Sequence, residues 1–242
     1  MLYSQGSVLI VVLLFIAIML TNEVCFRVGR AIQQNTDEEI KQLTGAIQGS
    51  ILGLLALLLG FTFSMSMQRF DDRSLAVIEE ANTIGTTLLR SHLLPDSERE
   101  QAVDLLQQYI ESRVAVSKVN LVSSEDRQRY NAEAKQLQEN LWALAIRAAE
   151  LDPRPITSGS FINTLNQMID AQGKRNALLQ MQVPESVMLL LFIVFMTTGG
   201  ILGYSAGLGG KRVVAPTAVM SLLIVLIVFI IIDLDRPRRG VI

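Results

Sequence analysis

Hydrophobic and polar positions divide this chain into long blocks. Four blocks are apolar: Ser7 to Thr21, Ala46 to Met67, Ser186 to Leu208 and Val213 to Ile232. A helix of about 20 apolar residues crosses the hydrocarbon layer of a bilayer, so each block predicts a transmembrane helix. The first is the shortest, with Asn22 and Glu23 at its edge. It carries neither a basic n-region nor a small-x-small cleavage site, and so reads as a membrane helix rather than a signal peptide. The second passes directly into QRFDDRSLAVIEEANTIGTTLLRSHLL, and no proline follows until Pro95. Leu75, Ile78, Ala81, Ile84 and Leu88 keep a helical period there. The pattern predicts one helix that leaves the membrane and continues as the first helix of a soluble domain.

Between Gln68 and Glu185 the period stays helical. Pro95 breaks the first helix, and Ser97-Glu98-Arg99-Glu100 has the form of a capping box for the next. That second helix carries Val103, Leu106, Ile110 and Val114 on one face. The polar segment SSEDRQ predicts a break before a third helix with Leu137, Leu141, Leu144 and Ala148, which Pro153 and Pro155 end. A fourth helix runs from about Phe161 to Leu179, and Pro184 leads into the third span. Strand signals and internal repeats are missing. The expected fold is an all-α integral membrane protein with four transmembrane helices and a cytoplasmic helical bundle, into which the second span runs on. Three segments follow: 1–67 with the first two spans, 68–185 as the helical domain, and 186–242 with the last two spans and a basic tail.

Charge sets the orientation. Four spans put both termini and the central segment on one side. That side carries Arg69, Arg73, Lys174, Arg175, Arg236, Arg238 and Arg239 near the membrane, against Arg27, Arg30, Lys41, Lys211 and Arg212 on the other. The positive-inside rule then places the termini and the central domain in the cytoplasm of a cell whose inner membrane holds the chain. The central segment has 13 Lys and Arg against 17 Asp and Glu. It has no basic patch, so nucleic acid is not an expected partner. Cys25 is the only cysteine and His92 the only histidine. Neither an intrachain disulfide nor a multi-histidine metal site is available, and His92 reads as a surface residue at a helix end. A nucleophile elbow, a phosphate-binding glycine loop and a zinc motif are all missing, so an enzyme is not expected, and no metal or cofactor is implied.

Two glycine series have physical content. Gly45, Gly49, Gly53 and Gly60 fall on one face of the second span, and Gly199, Gly203 and Gly207 on one face of the third. Small residues let helices approach closely in lipid, either within one subunit or between subunits. Further along the second span, Thr62, Ser66, Arg69 and Arg73 align at helical spacing, beside a face formed by Phe61, Met65 and Gln68. Such a helix either has one wet side with a hydrophobic neck, which gates by dewetting, or packs its bulky residues in lipid while its hydroxyls bond their own backbone. On the first alternative Thr62, Ser66 and Arg69 mark the wet side of a pore, with Phe61 and Met65 as its neck. Asp233 and Asp235 end the fourth span, and a carboxylate there needs a partner or water. Either they pair with Arg69 or Arg73, or with Asp72 they belong to a gating or ion-binding site. Glu79, Glu80 and Asn82 are either buried polar contacts or the lining of a vestibule.

The stretch GLLALLLGFTFSMSMQRFDDRSLAVIEEANTIGTTLL, with the C-terminal DLDRPRRG, resembles the bestrophin-like family of bacterial four-span proteins. True bestrophins end their second helix with a pattern of the form F-R-x-N-x-x-Y-x-R-W-W-E-x-R. Here Phe61 matches the Phe, Arg69 the later Arg that precedes the Trp pair and Asp72 the acidic position, while Arg73 stands one residue early. The resemblance implies a pentameric ion channel with four spans, cytoplasmic termini and a hydrophobic neck on the second helix. Its partners would be the lipid bilayer, inorganic ions and further copies of the chain. The Asn, the Tyr and both Trp are absent, so neither anion selectivity nor calcium gating is carried over. The competing expectation is a non-conducting membrane scaffold or sensor, whose helical domain binds a cytoplasmic partner.

Overall fold

The computed structural model describes residues 7–118, 124–181, 183–212 and 214–235. Among these the chain is all-helical, without a strand: α1 (Ser7–Ile32), a short 3-10 turn (Gln33–Asn35), α2 (Glu38–Ser91), α3 (Asp96–Lys118), α4 (Ser124–Leu151), α5 (Ser158–Gln180), α6 (Glu185–Leu208) and α7 (Val214–Asp235). Four helical stretches are long and apolar enough to cross a membrane; they contain α1, α2, α6 and α7. The basic residues Arg236, Arg238 and Arg239 lie outside the described residues, as do Ser123 and Val213.

Local chemistry moves several boundaries from their expected places. α1 does not stop at Thr21 but continues to Ile32, because Asn22 and Glu23 find partners instead of ending the helix. Asn22 Nδ2 donates to the Gly199 carbonyl at 3.0 Å, and Glu23 accepts from Arg27 at 2.8 Å. α3 starts one residue before Ser97. The Pro95 carbonyl accepts the amides of Glu98 and Arg99 at 3.0 Å, so the first turn closes on Pro95 and the expected capping box is out of register. The segment SSEDRQ is not a break beyond Ser123, since α4 begins at Ser124. A serine followed by acidic residues is a helix-start sequence, favoured by the positive end of the helix dipole.

Contacts divide the chain into two compact units. One combines Met1–Phe70 with Gln182–Ile242, and the other is Asp71–Met181. α2 crosses the boundary without interruption and contributes residues to both.

In the first unit, α1 and α6 come closest. A Cβ on Gly203 would sit 2.8 Å from the Asn22 carbonyl carbon, and one on Gly199 would sit 2.9 Å from Ile18 Cγ2. Gly207 meets the backbone of Phe26, Gly29 and Arg30 in the same way, and Gly29 meets that of Tyr204 and Leu208. Lipid gives no hydrophobic reward for helix association, so this backbone approach carries the packing. After α6 the chain reverses through Gly210, whose φ of 69° is the left-handed conformation that suits glycine. Ile10, Leu14, Ile18, Leu191, Phe195, Val228 and Ile231 fill the space between α1, α6 and α7.

The second unit packs the C-terminal part of α2 with α3, α4 and α5. Leu106, Tyr109, Leu141, Leu144, Phe161, Leu165 and Met168 are buried at its centre. His92 lies exposed just beyond the end of α2. Asp152 and Thr157 close the turn into α5. Arg154, and then Thr157, hold the Asp152 carboxyl well below the usual carboxylate range.

Candidate functional site

The helical period of α2 produces one buried seam. Within the first unit it comprises Leu55, Leu59, Thr62 and Ser66, spaced four, three and four residues apart. Thr62 is 4 % exposed and Ser66 0 %. This corrects the expectation that Thr62, Ser66 and Arg69 mark a wet side. They share the face of Leu55 and Leu59, and that face turns into the subunit. Thr62 meets its own polar need by donating to the Leu58 carbonyl at 2.6 Å, as hydroxyls in a helix do. Phe61 (61 % exposed), Phe63, Met65 (44 %) and Met67 point away from the seam.

Arg69 follows the same inward face, and its guanidinium reaches the end of α7. Arg69 Nη1 donates to Asp235 Oδ1 at 3.0 Å, while the Val183 backbone N–H donates to Asp235 Oδ2 at 2.8 Å. Asp235 is 1 % exposed. A carboxylate in the last helical turn faces the negative end of the dipole and has lost its water. The Arg69 guanidinium and the Val183 amide replace part of that solvation and tie α2, α7 and the residues preceding α6 together. Asp233 is buried in the same turn and engaged by partner groups. In the second unit Arg73 is buried and engaged, while Asp72 is half-buried. Replacing Asp235 by Ala should remove both bonds and lower stability by about 1–3 kcal/mol, because a buried cation and an amide lose their acceptor. Asp235→Asn should cost less, since its carbonyl still accepts from Val183. Thermal midpoints of the detergent-solubilised variants check this order, and equal midpoints for all three proteins would contradict it.

The two glycine series separate here. Gly199, Gly203 and Gly207 lie against α1 within one subunit, so the intersubunit alternative falls away for them. The partner half of that contact, Gly29, was missed in the sequence because a single glycine in α1 forms no series. Among the described residues, a Cβ on Gly45, Gly49, Gly53 or Gly60 would meet nothing within 4 Å beyond its own stretch of helix.

A second constellation lies inside the second unit. Glu80, 2 % exposed, accepts from Arg113 Nε at 2.6 Å through Oε1, and from Arg175 Nη1 through Oε2. It thereby joins α2 to α3 and α5. Gln138 bonds Gln172 at 2.9 Å beside it, with the Tyr109 hydroxyl within reach. Burial pushes the Tyr109 phenol up to about 12, with Arg113 opposing the shift. Of the three polar residues singled out earlier, only Glu80 is a buried contact. Glu79 pairs with Lys174 at 2.6 Å on the surface, and Asn82 is exposed. Arg113 gave no sequence signal and Arg175 counted only among the basic residues near the membrane, because a charged residue at an inward helical position looks like any other until its partner is known. Among the described residues no group of three or more His, Cys, Asp or Glu is arranged to hold a metal ion.

A family model described as Bestrophin-like domain covers residues 15–242. No curated protein and no solved structure matches the chain.

Proposed function

The chain belongs to the bestrophin-like family, and from that premise we propose that it works as an oligomeric ion channel of the cell inner membrane, with α2 lining the passage. The observation that carries this reading is the one-sided packing of α2. Its seam is occupied within the subunit, while the rest of its apolar stretch, with Leu54, Leu57, Phe61 and Met65 exposed, is left for lipid or for other copies. A ring of subunits would turn that uncovered surface toward an axis, and closed rings are the usual outcome of identical subunits associating. The resemblance suggests five copies. On this reading the termini and the second unit are cytoplasmic.

The scaffold reading draws on another observation. Trp142 and Ile146, one turn apart on α4, are exposed at 37 % and 50 %, as a partner-docking face would be. Purified protein in planar bilayers separates the two. A channel is expected to give unitary currents, whereas silence from a well-folded oligomer would favour the scaffold.

A further inference from the structure

We infer that the face of α2 opposite its buried seam lines the passage, with Gly53, Leu57, Ser64 and Gln68 along it and Asp71 at its end, and that the Asp71 carboxylate makes the passage prefer cations. The inference rests on the proposed channel. At about 100° per residue the seam of Leu55, Leu59, Thr62 and Ser66 has a definite centre. Leu57 and Ser64 lie about 10° from the point opposite that centre, and Gly53, Gln68 and Asp71 about 30° from it. Phe61 stands about 50° away on a shoulder, Met65 about 90° and Phe63 about 110°. A helix that packs its seam on its own subunit and stands in a ring points the opposite face at the axis. Its flanks meet neighbouring copies or lipid. Met65 thus leaves the neck for a flank, Leu57 replaces it, and Phe61 narrows the passage from its shoulder.

Charge follows the same division. Four charged residues cluster where the apolar stretch of α2 ends: Arg69, Asp71, Asp72 and Arg73. Both arginines turn to the seam side: Arg69 pairs with Asp235, and Arg73 is buried and engaged. Asp71 is exposed, lies on the face opposite the seam and has no ion pair among the described residues. Rings of carboxylates at a pore mouth concentrate cations and repel anions.

Thiol labelling tests both parts without needing current. In a Cys25→Ser background, Leu57→Cys, Ser64→Cys, Phe63→Cys and Met65→Cys are reconstituted in nanodiscs. Each is exposed to a cationic and an anionic methanethiosulfonate of similar size, and adducts are counted by mass. Rates are scaled to those of a free thiol in solution. Cysteines at 57 and 64 should react, about tenfold faster with the cationic reagent, while those at 63 and 65 stay unmodified. Asp71→Asn should abolish the charge preference at 64 without stopping the reaction. Labelling at 63 and 65 but not at 57 and 64 would overturn the assigned face and leave the channel standing. An anion preference, or one that survives Asp71→Asn, would overturn the role of Asp71. If none of the four reacts in folded oligomer, no water reaches the span, and both this inference and the channel fall.

Discussion

Replacing Gly203 with Leu should prevent α1 and α6 from packing in any context, detergent or membrane. The new Cβ alone would stand 2.8 Å and 2.9 Å from the carbonyl carbon and Cα of Asn22. Those are backbone atoms, so no rotamer change relieves the overlap. The helices must separate, and the neighbouring approaches at Gly199 and Gly207 open with them. Overpacking typically costs about 1–3 kcal/mol in soluble cores. Here the loss is larger, because close backbone contact is itself the source of association. The Asn22 to Gly199 hydrogen bond would also break. The expected result is loss of the monodisperse species and rapid proteolysis of the loop between α1 and α2. Gly53→Leu supplies the control. Among the described residues nothing beyond its own stretch of helix lies within 4 Å of a Cβ there, so a folded subunit is expected, and any change in mass would report on contacts between copies. A Gly203→Leu protein with wild-type protease resistance would show that α1 and α6 are not held this way.

Glu80→Gln should unfold the second unit at lower denaturant than wild type. Two guanidiniums share this one carboxylate, and all three side chains are less than one-tenth exposed. An amide cannot balance either charge. Removing one partner of a buried ion pair costs about 3–5 kcal/mol, which at a urea slope near 2 kcal/mol per molar moves the midpoint down by about 2 M. Trp142 makes the measurement specific, since it is the only tryptophan and lies in the second unit. Its fluorescence should report the earlier transition, while the membrane helices keep their far-UV signal. The triple variant Glu80→Leu, Arg113→Met, Arg175→Met is expected to recover most of the loss, because an apolar cluster needs no charge balance. An unchanged midpoint for Glu80→Gln would mean that the triad is not desolvated.

The chain's pattern by itself determined the all-helical class, the four membrane-capable helices, the unbroken passage of α2 beyond the membrane stretch and the family. These are consequences of short-range physics. Twenty apolar residues need lipid or a core wherever they occur, and helical spacing needs only neighbours three and four positions apart. Even the seam of α2 was legible as an alignment of Thr62, Ser66, Arg69 and Arg73.

Which way that face pointed was a tertiary decision. Periodicity groups residues on a helix but gives no direction, so a stripe of hydroxyls looked equally suited to water and to a packed interface. α7 and the residues before α6 decided it by placing Asp235 within reach of Arg69. The glycine series were split for the same reason. Both have the spacing for close approach, but only α6 has α1 lying across it, with Gly29 as counterpart. Arg113 and Arg175 became one site with Glu80 only when three helices brought together residues 33 and 95 positions from that carboxylate. Spacing along a chain determines faces, whereas partners far apart in sequence are chosen by packing, because a buried charge or an exposed glycine backbone is settled only by what stands opposite it.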